Sequence, residues 1–149
     1  MRACWGPDPV EFRGDRYRIP RSAVGPKPYH GTIRLLFGAL LRSTIERAAH
    51  LAAGVVLVAV DWDETRTKID WYRDAGGSGT VLVNTVPTYA DETVTTAAFT
   101  DAVLRDLEQA AVVGADEMHI AMNLGITVPP ERRVELLGAL GEQVGLAPV

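Results

Sequence analysis

Little in this sequence announces chemistry by itself. There is one cysteine, Cys4, in 149 residues. No intramolecular disulfide can form, which favours a reducing, cytoplasmic setting. The three histidines, His30, His50 and His119, are not spaced as metal ligands are, so no metal is expected. No P-loop, dinucleotide fingerprint or Ser-His-Asp signature is present. No apolar run reaches the roughly 20 residues that cross a bilayer, and the start, Met1-Arg2-Ala3-Cys4-Trp5-Gly6-Pro7, lacks an apolar leader core. Lysine occurs only twice against thirteen arginines. A net charge of −4 argues against a dedicated nucleic-acid binder. The length is enough for a core of one domain, yet well short of the roughly 250 residues of a complete (β/α)₈ barrel.

What is there is unevenly distributed. Residues 1–30 carry six basic and three acidic side chains and five of the nine prolines; the remaining 119 carry nine basic and sixteen acidic. The first segment reads as a solvated, irregular lead-in or, alternatively, a phosphate-binding arm. Within it, residues 12–19 alternate around Gly14-Asp15, with Phe12, Tyr17 and Ile19 apolar, which predicts a small hairpin. Pro20, Pro26 and Pro28 then enforce an extended connection.

Beyond residue 30 a unit recurs. Ile33–Phe37 is a short apolar run ending at Gly38, a buried-strand pattern. Ser43-Thr44-Ile45-Glu46 has the form of a capping box and opens a helix with Ile45, Ala48, Ala49 and Ala52 on one face and Gly54 as its stop. Val55–Val60 is a second strand. Asp61 or Asp63 caps the next helix, which buries Ile69 and Tyr72 and ends at Gly76-Gly77-Ser78-Gly79. Thr80–Val86 is a third strand, followed by a threonine-rich loop from Pro87 to about Thr96. A third helix buries Phe99, Val103, Leu107 and Ala110 and stops at Gly114. Met118–Met122 is a fourth strand. Pro129-Pro130-Glu131 opens a last helix whose buried side is Val134, Leu137, Leu140 and Val144. The fold class is therefore α/β: four consecutive βα units forming a parallel sheet covered by helices. A small doubly wound sheet and half of a (β/α)₈ barrel both fit this pattern.

Several pieces, taken in order, carry a resemblance. They are the hairpin Asp8–Pro20, the linker Gly25-Pro26-Lys27-Pro28, the strand end Phe37-Gly38-Ala39, the helix end Ile45–Gly54, and Gly114-Ala115-Asp116-Glu117-Met118-His119-Ile120. Together they resemble the C-terminal half of the bacterial luciferase-like family of flavin- or coenzyme F420-dependent oxidoreductases and monooxygenases, over about residues 5–144. The resemblance implies a (β/α)₈ TIM barrel of which this chain supplies the last four units: residues 1–30 as hairpin and proline-rich lead-in, and residues 31–149 as the half-barrel. It implies FMN or coenzyme F420 as cofactor, with Gly38, Ala39, Leu40 and Arg42 at the cofactor's phosphate, where backbone N–H groups and a helix N-terminus favour an anion. Two departures stand out, since Ala39 replaces the second glycine of the family's turn and Ala53 replaces the aspartate before Gly54. Arg42 fits either a phosphate contact or a solvated helix start.

No catalytic acid or base is assigned by the sequence. Asp61 and Asn84 lie near predicted strand C-termini, where barrel enzymes place functional groups, although Asp61 serves equally as a helix cap. His119, on a strand, is a structural or an interior residue. His30 and His50 read as loop and helix-surface residues, Trp62 and Trp71 as packing, and Cys4 as a loop residue without a local base. Two readings follow. In the first, the chain is a truncated luciferase-like enzyme with weak or absent turnover on an unidentified small molecule. In the second, it is a non-catalytic half-barrel that pairs with a second copy or with a complementary half, because half a barrel has two unpaired strand edges.

Overall fold

A computed structural model describes residues 2–124 and 127–145. The chain divides into two compact units, one ending at Leu35 and the other beginning at Leu36. In the first, a short 3₁₀ turn at Arg2–Trp5 precedes two strands, β1 (Val10–Arg13) and β2 (Arg18–Ser22). They pair antiparallel, with Phe12 opposite Ile19 and Arg13 opposite Arg18. The Gly14 N–H donates to the Tyr17 carbonyl at 2.9 Å and closes the hairpin expected there. At the far end of this unit, Asp8 accepts from the Lys27 ammonium at 2.8 Å and from the Val24 N–H at 3.0 Å.

The second unit holds β3 (Leu36–Gly38), α1 (Arg42–Leu51), β4 (Gly54–Ala59), α2 (Trp62–Asp74), β5 (Thr80–Thr85), α3 (Thr96–Val112), β6 (Glu117–Ile120) and α4 (Pro130–Gln143). The four strands form one parallel sheet in the order β3-β4-β5-β6. The order does not reverse. A doubly wound sheet changes direction at a switch point, and these four strands contain none.

Strand alternation assigns the faces. Val55 and Leu57 of β4 and Val81 and Val83 of β5 are fully buried and pack with Ile45 and Ala48 of α1 and Ile69 and Tyr72 of α2. Met118 and Ile120 of β6 pack against a second cluster built from Phe99 and Val103 of α3 and Leu136 and Leu140 of α4. All four helices therefore serve one face. The other face carries Val56, Val58, Leu82, Asn84, Glu117 and His119. Val58 and His119 are exposed there, while Leu82 is buried.

Several local expectations need correction. The first strand is Leu36–Gly38 rather than Ile33–Phe37, because pairing with β4 begins only at Leu36 opposite Gly54; Ile33 is exposed. The capping box does not form. Helix α1 starts at Arg42 with Leu41 as N-cap, and Glu46 is engaged by Arg42 Nε at 2.8 Å, so Ser43 lies inside the first turn. Gly54 is no helix stop; α1 ends at Leu51 and Gly54 opens β4. A Cβ on Gly54 would collide with the Thr80 carbonyl oxygen on the neighbouring strand, which is why glycine stands there.

The inward stripe of α4 is Leu136 and Leu140; Val134, Leu137 and Val144 are exposed. On α3, Leu107 is likewise exposed while Phe99, Thr100, Val103 and Ala110 are buried. The remaining helix signals hold. Asp61 caps α2, accepting the Glu64 N–H at 2.8 Å, and Pro130 sits at the start of α4. Gly76 and Gly114 end α2 and α3 with φ of 85° and 86°, a conformation that glycine adopts without strain. Trp62 and Trp71 pack at the edge of the first cluster, as expected.

Candidate functional site

The residues expected at a phosphate fall on the β3–α1 connection. Gly38 ends β3, is exposed, and has open space around the position of a Cβ. Ala39 is buried at 6% exposure and belongs to the first core cluster. Its N–H donates to the Val56 carbonyl at 3.1 Å and extends the β3–β4 ladder, so that donor is already used. Leu40 and Leu41 are exposed at 62% and 69%.

Helix α1 then begins without a side-chain cap, whereas α2 is capped by Asp61 and α3 by Thr95, which accepts the Ala98 N–H at 3.2 Å. Among the described residues no group accepts the N–H of Arg42 or Ser43. These two donors, at the positive end of the helix dipole, remain free for an anion. The Arg42 guanidinium pairs with Glu46 and lies 5.6 Å from the centre of the Trp71 ring. It is held along the helix rather than extended from it.

Two other candidates come together across the sheet. Asn84 on β5 and His119 on β6 are direct register partners, and Val58 on β4 faces Asn84 from the other side. They form a row on the face that the helices leave bare. Asn84 is half-buried and His119 exposed. Asp61 is not part of this row, since its carboxylate is committed to the α2 N-terminus. His30 and His50 are exposed and Cys4 is partly buried. Among the described residues, no three His, Cys, Asp or Glu side chains gather as for a metal ion.

The sequence reading missed a cleft at the C-terminal ends of β4 and β5, about 150 Å³ in volume, lined by Val60, Trp62, Val86, Thr88, Tyr89 and Asp106 among others. Its polar centre is the Tyr89 hydroxyl donating to Asp106 Oδ2 at 3.1 Å. Burial pushes the Tyr89 phenol above its ordinary range, and the negative charge and hydrogen bond of Asp106 push it further. A signal for Asp106 did exist. Residues 99, 103, 106 and 110 step along α3 by four, three and four, which places an acid on the stripe that holds Phe99, Val103 and Ala110.

No described helix is long and apolar enough to cross a membrane. No protein-family model matches the chain, and no curated protein matches it.

Proposed function

We propose that this chain is the C-terminal half of a luciferase-like oxidoreductase or monooxygenase, a truncated form that binds FMN or coenzyme F420 weakly and turns over slowly or not at all. One observation carries the proposal. The four parallel strands run in unbroken chain order with every helix on one face, an arrangement that half of a (β/α)₈ barrel requires. The α1 N-terminus supports the cofactor part. Gly38 leaves room for close approach, and among the described residues the N–H groups of Arg42 and Ser43 have no acceptor. These groups, with Leu40 flanking them, would hold the phosphate, and Arg42 would add its charge on turning from its pair with Glu46. When bound, the cofactor supplies hydride transfer or flavin-mediated oxygenation; the chain's residues bind and orient it.

The test is FMN and coenzyme F420 titration followed by fluorescence, with inorganic phosphate as competitor. The proposal expects weak binding, competed by phosphate and several-fold weaker in Arg42→Ala. No binding at millimolar cofactor would overturn the cofactor assignment. Turnover near the ordinary enzyme scale of about 10 per second would overturn the truncation.

A second reading is a non-catalytic module that closes by pairing with another copy or a complementary half. Among the described residues, strands β3 and β6 each have a neighbour on one side only, and such edges pair readily. Light scattering on dilute protein should then show a dimer, and a monomer at every concentration rules out self-pairing. The single cysteine is what supports a cytoplasmic setting.

A further inference from the structure

We infer that the cleft beside Asp106, whose lining includes none of Gly38, Ala39, Leu40 and Arg42, is a binding site for a small primary ammonium compound. Asp106 is half-buried on α3. Its hydrogen-bond partner is the neutral Tyr89 phenol. Among the described residues, no Lys, Arg or His nitrogen forms an ion pair with it. Arg105, next to it on α3, influences Tyr89 electrostatically but forms no ion pair with Asp106. A carboxylate partly withdrawn from water without an ion-pair partner is stabilised by a cation that enters beside it.

The walls specify which cation. Trp62 and Tyr89 supply aromatic surface, Val60 and Val86 supply apolar surface, and Thr88 adds a hydroxyl. An ammonium group with a short carbon chain meets all three: the charge faces Asp106, the adjoining methylenes face the aromatic and apolar walls, and a terminal hydroxyl reaches Thr88. A bare divalent metal ion would find one carboxylate, too few ligands. An anion would be repelled. Volume sets the size: a cavity of about 150 Å³ accepts a molecule like benzene, about six heavy atoms. The cleft lies on the helix-facing side of the sheet, since Thr85 and Ala59 in its wall share the alternation of Val83 and Leu57. Asn84 and His119 are on the opposite face, so the two regions are independent.

The test is an amide NMR titration of the whole chain with ethanolamine, against ethylene glycol as the uncharged comparator at equal ionic strength. Saturable shifts at Val60, Thr88 and Tyr89 are expected with ethanolamine at about 1–10 mM, and at least about tenfold weaker binding with the glycol. Asp106→Asn keeps an acceptor for Tyr89 and removes the charge; it should weaken ethanolamine binding by about tenfold or more. Tyr89→Phe removes the phenol's hydrogen bond and should bind ethanolamine at least as tightly. Equal binding of the glycol, shifts that never saturate, undiminished binding in Asp106→Asn, or lost binding in Tyr89→Phe would each overturn the assignment.

Discussion

Tyr72 and Gly77 fit against each other so closely that a Cβ on Gly77 would lie 2.5 Å from the Tyr72 ring carbon Cζ. The tyrosine is fully buried on α2, and its hydroxyl accepts the Gly79 N–H at 3.1 Å. The glycine-rich turn after α2 is thus shaped around one side chain. Gly77→Ala must displace the ring or the turn and should destabilise the protein by about 1–3 kcal/mol. Tyr72→Phe keeps the packing and loses the acceptor, at about 1 kcal/mol. Urea denaturation curves of the two variants check both size and order.

Asp61 stands just past the C-terminal end of β4 and at the N-terminus of α2. The Glu64 N–H at 2.8 Å from Oδ1 favours the cap. Asp61→Ala should cost about 1 kcal/mol and Asp61→Ser much less. Thermal unfolding of the pair decides the matter, and equal losses would show that the hydroxyl does not substitute as a cap.

In the first unit, the Lys27 hydrogen bond, aided by the Val24 N–H, holds the Asp8 carboxyl below its ordinary value of 3.8. A depressed carboxyl stabilises the folded form above that value. The contribution is lost as pH falls below 3.8 and through the folded-state value. Carbon-detected NMR titration of Asp8 should therefore show protonation at lower pH than in Lys27→Met, where the carboxyl moves back towards 3.8.

Tyr89 runs in the opposite sense. Burial raises its phenol first, and Asp106 adds to the shift. The unfolded chain loses this proton near pH 10, and the folded chain retains it. Stability attached to Tyr89 is accordingly complete below pH 10 and falls as pH rises from there towards the folded-state value. Ring resonances of Tyr89 should stay unchanged through pH 10. In Asp106→Asn they should titrate earlier, though still above 10, because burial remains.

The sheet was largely legible from the sequence. Val55–Val60 and Thr80–Val86 are apolar runs bounded by turn residues, and they became β4 and β5 to within a residue. Helix ends with a local chemical cause, such as Asp61, Pro130 and Gly114, were legible too. What failed was whatever depended on a partner elsewhere in the chain. The start of β3 is set by where β4 offers pairing. The juxtaposition of Asn84 with His119 is a matter of register, which neither strand carries alone. The Asp106 cleft escaped for a related reason: Tyr89 comes from a loop, and only the fold brings it to α3.

The unbroken strand order also bears on how the chain assembles. Each of β4, β5 and β6 pairs with the strand immediately before it in sequence, so each pairing spans a single βα unit, from the 18-residue separation of Leu36 and Gly54 to the 35-residue separation of Leu82 and Glu117, and loop-closure cost grows only slowly with such length. No strand of this sheet must wait for a distant segment to be synthesised. The sheet can grow one strand at a time as the polypeptide emerges, each helix covering the strands just laid down, a route that topologies rich in distant pairings lack.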